Sequence, residues 1–357
     1  MKKNYYIFSM GRLRRKDNSL VLERGGEEDG VHVAAKEHLE PIDCLGSPGA
    51  EKVIPDTHIP IESVESLFCF GETVFTMPVL RFLGRANVPL HIFDYYGNYS
   101  STFYPRDEML SGLCIVEQVR HFLDPELRLA LAREIVHTSL CNIDTTLAYY
   151  EHRGIEVTHD RMEIQLMRDD VTEATGLRRV MGCEGYARRK YFNTWKRILY
   201  PVPFDGRRSR PSMDPVNALL SFCNALLYAV TTSELYRAGL NPMISYLHEP
   251  AARRFSLSLD IADIFKPVIS DRLVFGLFNT GVLNIENHFE QRDGACCLNE
   301  KGRILAVKKF DEKMKTTIEH RDLHRSVSYR QLVQVSCAQL ATMFNAGQRF
   351  KGFHSWW

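Results

Sequence analysis

The sequence predicts an α+β protein: a small β-rich N-terminal domain, residues 1–105, followed by a larger all-α domain, residues 106–357. Three observations carry this. Short aromatic or β-branched runs separated by turn residues fill the first domain. The texture turns helical after Tyr104-Pro105. Two Asp-Pro pairs, Asp124-Pro125 and Asp214-Pro215, read as helix starts, with Asp at the N-cap and Pro in the first turn, where its missing N–H does no harm.

Taken in order, "YYIFSM", "SLVLE", "SLFCFG", "PLHIFD" and "YSSTFYP" are the strands, and "FTMPVLRFLGRAN" is a single helix among them. Arg24–Pro60 is rich in Gly, Pro and acids and reads as an extended loop with a few short strands. Beyond it, helices cover "PELRLALAREIVHTSLCNIDTTLAYYEHR", the segment around Glu184, "VNALLSFCNALLYAV", "LDIADIFKPVISDRLVFGLFN" and "YRQLVQVSCAQLATMF". There is no internal repeat, heptad run or low-complexity tract.

With 357 residues, 45% of them hydrophobic and 25% charged, the chain has the composition of a soluble globular protein with ample core. Its net charge is only +1, but the charge is unevenly placed. Val21–Glu65 holds eleven acidic and three basic side chains, whereas Arg178–Arg210 holds ten basic and two acidic. That asymmetry fits a basic surface that meets a polyanion, or else two solvated faces of opposite sign. The nine cysteines show no CxxC spacing and no zinc signature. Cys69, Cys223 and Cys337 sit in apolar runs and read as core, in a reducing compartment. The apolar run near the start is too brief for a signal peptide, and "VNALLSFCNALLYAV" is too short to span a bilayer. A cytoplasmic protein without membrane contact is expected.

"GCEGYARRKYFN", residues 182–193, carries the first chemical signal. At a helical pitch of roughly 100° per residue, Val180, Ala187, Tyr191 and Ile198 share one face, with Trp195 at its edge. Glu184 falls in the middle of that face. A carboxylate there needs either an ion pair, with Arg188 one turn away, or a metal. In "SLDIADIF", Asp260 and Asp263 lie about one turn apart, and their mutual repulsion would be relieved by a cation. His248, in "SYLHEP", precedes that helix. Glu, Asp and His without thiolate suit Mg2+ or Mn2+. The basic residues Arg188, Arg189, Lys190, Arg207, Arg208 and Arg210, interleaved with Tyr186, Tyr191 and Trp195, fit a nucleic-acid surface, as does any amphipathic helix of this composition. Asn217, Ser221 and Asn224 make a polar stripe that either joins helices or supports the ligands.

Four stretches, "LFCFGETVFTMPVLRFLGRANVPLHIFDYYGNYSSTFYPRD", "GCEGYARRKYFNTW", "RPSMDPVNALLSFCNALLY" and "LNPMISYLHEPAARRFSLSLDIADIFKP", resemble the CRISPR-associated protein one family, the adaptation integrase and endonuclease. The resemblance implies a β-rich N-terminal domain that dimerises and a helical catalytic domain whose divalent metal is held by Glu184, His248 and Asp263, with Asp260 as the other acid. It implies a homodimer, two copies of which flank a dimer of CRISPR-associated protein two on double-stranded DNA. The 3′-hydroxyl of a spacer fragment then attacks a phosphodiester at the repeat boundary, a transesterification that needs no ATP. With water as nucleophile the same site cuts DNA. The other functions compatible with these residues are a stand-alone structure-selective repair nuclease and a catalytically inactive DNA-binding scaffold. Two regions depart from the family pattern: the long acidic Arg24–Pro60 segment and the tail "FKGFHSWW".

Overall fold

The computed structural model describes residues 2–8, 11–23, 57–94, 96–105, 112–199, 202–208, 211–250, 255–321 and 324–356. The chain divides into two compact units, residues 1–108 and 109–357. Most of the acidic segment, residues 24–56, lies outside the described residues.

The first unit contains β1 (Lys3–Ile7), β2 (Gly11–Lys16), β3 (Ser19–Glu23), β4 (Thr57–Pro60), β5 (Val64–Cys69), β6 (Thr73–Phe75), helix α1 (Met77–Arg85), β7 (Leu90–Phe93) and β8 (Tyr99–Phe103). They form two four-stranded sheets, ordered β1-β5-β7-β8 and β4-β3-β2-β6. In the first sheet β1, β5 and β7 run parallel and β8 returns antiparallel. In the second, β2, β3 and β4 form an antiparallel meander and β6 lies parallel to β2. The turn between β2 and β3 places Asp17 in the left-handed region, φ 52°, which Asp tolerates better than most side chains. Leu13 and Leu20 of one sheet and Val64 and Leu67 of the other enter a single core. On α1, Val79, Phe82 and Leu83, spaced i, i+3, i+4, complete it.

The second unit is mostly helical: α2 (Gly112–Leu123), α3 (Pro125–Glu151), α4 (Thr158–Glu173), α5 (Leu177–Ile198), α6 (Pro215–Arg237), α7 (Ser256–Phe265), α8 (Arg272–Asn279) and the single turn α9 (Ile285–His288). After hairpin β9 (Phe289–Arg292) and β10 (Ala295–Leu298) come α10 (Glu300–Lys315), hairpin β11 (Thr317–His320) and β12 (Arg325–Ser328), and α11 (Tyr329–Ala346). The two hairpins correct the expectation of an all-α domain. The first turns on Asp293-Gly294, both at positive φ, the dipeptide that suits a tight hairpin turn.

Both Asp-Pro starts behave as expected. Asp124 Oδ1 accepts from the backbone N–H groups of Glu126 and Leu127 at 2.9 and 3.1 Å, and Asp214 Oδ1 accepts from Asn217 N at 2.9 Å. Cys69, Cys223 and Cys337 are buried. Helix α6 extends past its apolar run to 23 residues, long and apolar enough to cross a membrane by length and composition alone. The fold buries 78% of that apolar window, as expected of a core helix.

Candidate metal centre

Pro267 shapes the site. It has no N–H, so the carbonyl four residues earlier, Asp263 O, loses its helical donor. Residues 267–271 go on as a π-helical turn, with Asp271 N donating to Lys266 O at 2.9 Å. Helix α3 supplies a donor to Asp263 O, and further donors to two neighbouring carbonyls, from a buried polar row. Ser139 Oγ donates to Asp263 O at 2.8 Å, Asn142 Nδ2 to Ile264 O at 2.8 Å, and Thr146 Oγ1 to Pro267 O at 3.3 Å. The spacing i, i+3, i+7 puts all three on one face of α3. The end of α7 is thereby fixed where its acid faces α5.

On α5, Val180, Ala187, Tyr191, Trp195 and Ile198 are buried, as the periodicity requires. Glu184 sits among them, with a side chain 21% exposed, and accepts from Arg188 Nε one turn on. The same guanidinium reaches Asp263: Arg188 Nη2 lies 3.3 Å from Asp263 Oδ1 and donates to Ser139 Oγ at 3.3 Å. Arg188 therefore bridges the carboxylates of two helices 79 positions apart in sequence. Lys266 Nζ adds a second contact to Asp263 Oδ1 at 2.5 Å. Burial by itself would raise the Asp263 carboxyl. The charges of Arg188, Lys266 and His248 outweigh it and hold that carboxyl far below the usual range. Burial works against the Arg188 charge, and Asp263 and Glu184 outweigh it in turn, pushing its pKa higher still.

His248 lies in the loop before α7 and is oriented by Asp260. Asp260 is fully buried, and its two oxygens take four donors: Tyr246 N and Leu247 N on Oδ2 at 2.8 and 3.0 Å, and His248 N and Nδ1 on Oδ1 at 3.1 and 2.7 Å. With Nδ1–H directed at Asp260, a neutral imidazole carries its lone pair on Nε2. Burial lowers the His248 pKa, but the Asp260 hydrogen bond and the charges of Asp263 and Asp260 outweigh it and leave the pKa raised. Asp260 and Asp263 thus have different partners. The first organises the loop that carries His248; the second faces α5.

The basic residues divide. Arg188 points inward, as above. Arg207 also points inward: its Nη1 donates to Asn217 Oδ1 at 2.9 Å and to Ser221 Oγ at 3.2 Å, so two members of the polar stripe brace an arginine. Neither projects from the surface towards a phosphate. Arg189 and Arg208 are exposed, and Arg210 lies outside the described residues.

Sequence reasoning missed Asp271. It is buried at the end of the π turn and accepts from Tyr191 OH at 3.1 Å. Burial pushes its carboxyl up to about 7, against the opposing pull of Arg188, the Tyr191 hydrogen bond and Lys266. The only trace in the sequence was an acid in an apolar run, "KPVISDRLVF".

The family model for CRISPR associated protein Cas1 matches residues 5–312. The chain belongs to the Cas1 family. A Cas1 endonuclease of Thermodesulfovibrio yellowstonii is 37% identical, over 99% of this chain and all of that protein. Another, of Moorella thermoacetica, is 38% identical over 99% of this chain and all of that one. The solved structure of a Cas1 protein from Thermotoga maritima superposes with a TM-score of 0.80 at 31% identity, covering 98% of this chain and 99% of that one. The likeness to these Cas1 proteins runs through both units, so the β-rich first unit and the helical second one belong to the family fold. It also spans all four segments that build the site: α3, α5, the His248 loop and α7.

Proposed function

We propose that this Cas1-family chain is a divalent-metal-dependent DNA endonuclease and integrase of CRISPR adaptation, with Glu184, His248 and Asp263 as the ligands of a Mg2+ or Mn2+ ion. One observation carries the reading. Two carboxylates from separate helices meet at a single guanidinium, and the imidazole of His248, whose charge acts on one of them, Asp263, is held from behind by a buried carboxylate. The donors fit the ion: two hard oxygens and one nitrogen, with no thiolate among them. The Asp260–His248 contact is the arrangement that orients a ligating histidine and raises its basicity. An ion bound there would polarise the phosphorus and stabilise the departing oxygen.

The protein's own groups do the rest. Asp260 keeps the Nδ1 proton and aims Nε2 outward. Ser139 and Asn142 hold the end of α7 so that Asp263 faces Glu184. Arg188 balances the charge of the two carboxylates. In strand transfer, the 3′-hydroxyl oxygen of a DNA fragment forms a new P–O bond as the P–O bond of the repeat strand breaks. The hydroxyl proton departs, and the released 3′-oxygen takes one up. Names of the matched relatives support the nuclease part, and family membership supports double-stranded DNA and a dimer of CRISPR-associated protein two as partners. We place the protein in the cytoplasm, where its DNA substrates are, and assign it no membrane role. Its homodimer forms mainly through residues before Pro105, where short edge strands need covering. Sedimentation of the full chain as a monomer at micromolar concentration would refute the homodimer.

The decisive experiment compares wild type with Glu184→Gln in joining a DNA fragment with a free 3′-end to a repeat-bearing plasmid, in Mn2+ and with the small partner present. Wild type forms the branched product. The variant, checked for unchanged circular dichroism, loses at least about a hundredfold in rate, since a first ligand matters at least as much as an outer-shell partner. Equal joining by the variant overturns the site. Cutting of branched DNA without joining replaces the integrase with a repair nuclease, and failure to bind Mn2+ reduces the protein to a scaffold.

A further inference from the structure

A second group of ligating side chains lies on α3, with a different donor set. His137 and Cys141 are one turn apart, and His354 meets them from the C-terminal tail; one ligand atom of each lies within 4.8 Å of the others. Cys141 Sγ is 3.9 Å from both ring nitrogens of His137, and the two imidazole rings are 5.6 Å apart between centroids.

The tail is fitted to this position on both sides of His354. Gly352 packs so closely on α3 that a Cβ there would lie 2.3 Å from Thr138 Oγ1, so only glycine fits. Its N–H donates to Glu134 Oε1 at 2.9 Å. Asn142 donates through Nδ2 to Phe353 O at 2.9 Å and accepts through Oδ1 from Ser355 N at 2.7 Å. Thr145 Oγ1 donates to Ser355 O at 3.2 Å, and Thr138 Oγ1 contacts His354 Nε2 at 3.1 Å. Four consecutive tail residues are thus registered against α3, and the histidine among them stands over His137 and Cys141.

We propose that His137, Cys141 and His354 bind a borderline-soft divalent ion, Zn2+ in the first place, which clasps the C-terminal tail to α3. Two imidazoles and one thiolate are zinc donors, whereas Mg2+ and Mn2+ select oxygen. Bonds of roughly 2.0–2.3 Å at tetrahedral angles set ligand atoms about 3.5 Å apart, so the observed cluster needs only small side-chain rotations to close. Three protein ligands leave the fourth position to water. Binding replaces the S–H bond of Cys141 with a sulfur–metal bond and releases the proton to solvent, so affinity rises with pH. The absence of a CxxC motif concealed the site: one half is H-x3-C on a helix, and the other half lies more than two hundred residues away. The inference does not depend on the Glu184 centre. It gives a role to the C-terminal tail.

Cobalt tests it, because Co2+ takes zinc sites and its bond to thiolate absorbs in the near ultraviolet. Full-length protein stripped with a chelator is titrated with Co2+, then with Zn2+ or Mg2+. Wild type develops one equivalent of the cobalt–thiolate band, which Zn2+ bleaches and Mg2+ does not. Cys141→Ser abolishes the band, and His354→Ala weakens binding at least tenfold. His354 is exposed, so its loss does not threaten the fold. Glu184→Gln keeps the band, which separates failure here from failure of the catalytic reading. No band in wild type, a band that persists in Cys141→Ser, or unchanged affinity in His354→Ala overturns the proposal.

Discussion

Asp271 makes the stability of the helical unit depend on pH in an unusual direction. Its carboxyl is enclosed by Tyr191 and Arg188 of α5, Lys266 at the end of α7, Arg207, and Cys223 of α6. Burial raises it from the model-compound value of 3.8 to about 7. A group whose folded pKa is raised contributes stability that is fully present below its unfolded pKa and lost as pH rises through the folded one. The window is therefore pH 3.8 to about 7. At about 1.4 kcal/mol per unit, the whole span is roughly 4 kcal/mol. Asp271→Asn keeps an acceptor for Tyr191 and removes the titration. Wild type should lose stability relative to the variant by about one proton's worth, ~1.4 kcal/mol per pH unit, across the window. Urea unfolding with a chelator present, followed by tryptophan fluorescence, measures this. All three tryptophans lie beyond residue 109, so the signal reports the helical unit alone. Parallel stability profiles for wild type and variant between pH 4 and 7 would mean that Asp271 is already ionised in the fold and paired with an arginine. The argument from burial would then be wrong.

Other outcomes follow from the same contacts. Ser139→Ala leaves Asp263 O without a donor and should cost about 1–3 kcal/mol of stability in urea unfolding; a loss below about 0.5 would show that the π turn satisfies itself. Replacing Arg189 and Arg208 with Ala should reduce the slope of log K against log salt for duplex DNA by up to about 1.8, two phosphate contacts' worth. Arg207→Ala should instead lower the unfolding midpoint with the salt slope unchanged, and the reverse pattern would place Arg207 on DNA.

Local signals were legible in the sequence, and long-range ones were not. The Asp124 and Asp214 caps, the apolar face of α5 and the Glu184–Arg188 contact all lie within one or two turns of chain, where the pattern is the structure. Helix α4 escaped notice because it is charged nearly all round and leaves Met162 and Leu166 exposed, so no stripe marks it. The buried row Ser139, Asn142, Thr146 carries no local signal in the sequence. Its partners lie some 120 residues away, at the carbonyls of Asp263, Ile264 and Pro267. Asp260 and Asp263 were correctly seen as neighbours. Their division of labour is set by the loop backbone at 246–248, and nothing in a DxxD spacing reports which way each carboxylate turns.

Glu184 was open to two readings from the sequence, an ion pair or a metal ligand, and the structure shows the ion pair. Arg188 meets Glu184 and Asp263 together, so it neutralises the two carboxylates that a divalent ion would need. A guanidinium and a metal ion compete for the same oxygens. The pair therefore solves the problem of holding two acids together on apolar helix faces before any ion arrives, since removing one partner of a buried ion pair is strongly destabilising. Its depressed pKa keeps Asp263 ionised, while the Asp260 hydrogen bond and the nearby carboxylates raise the His248 pKa. The balance of charge at this centre thus rests on a guanidinium of α5 and on a lysine and a buried aspartate of α7 and its end, segments that the sequence keeps far apart.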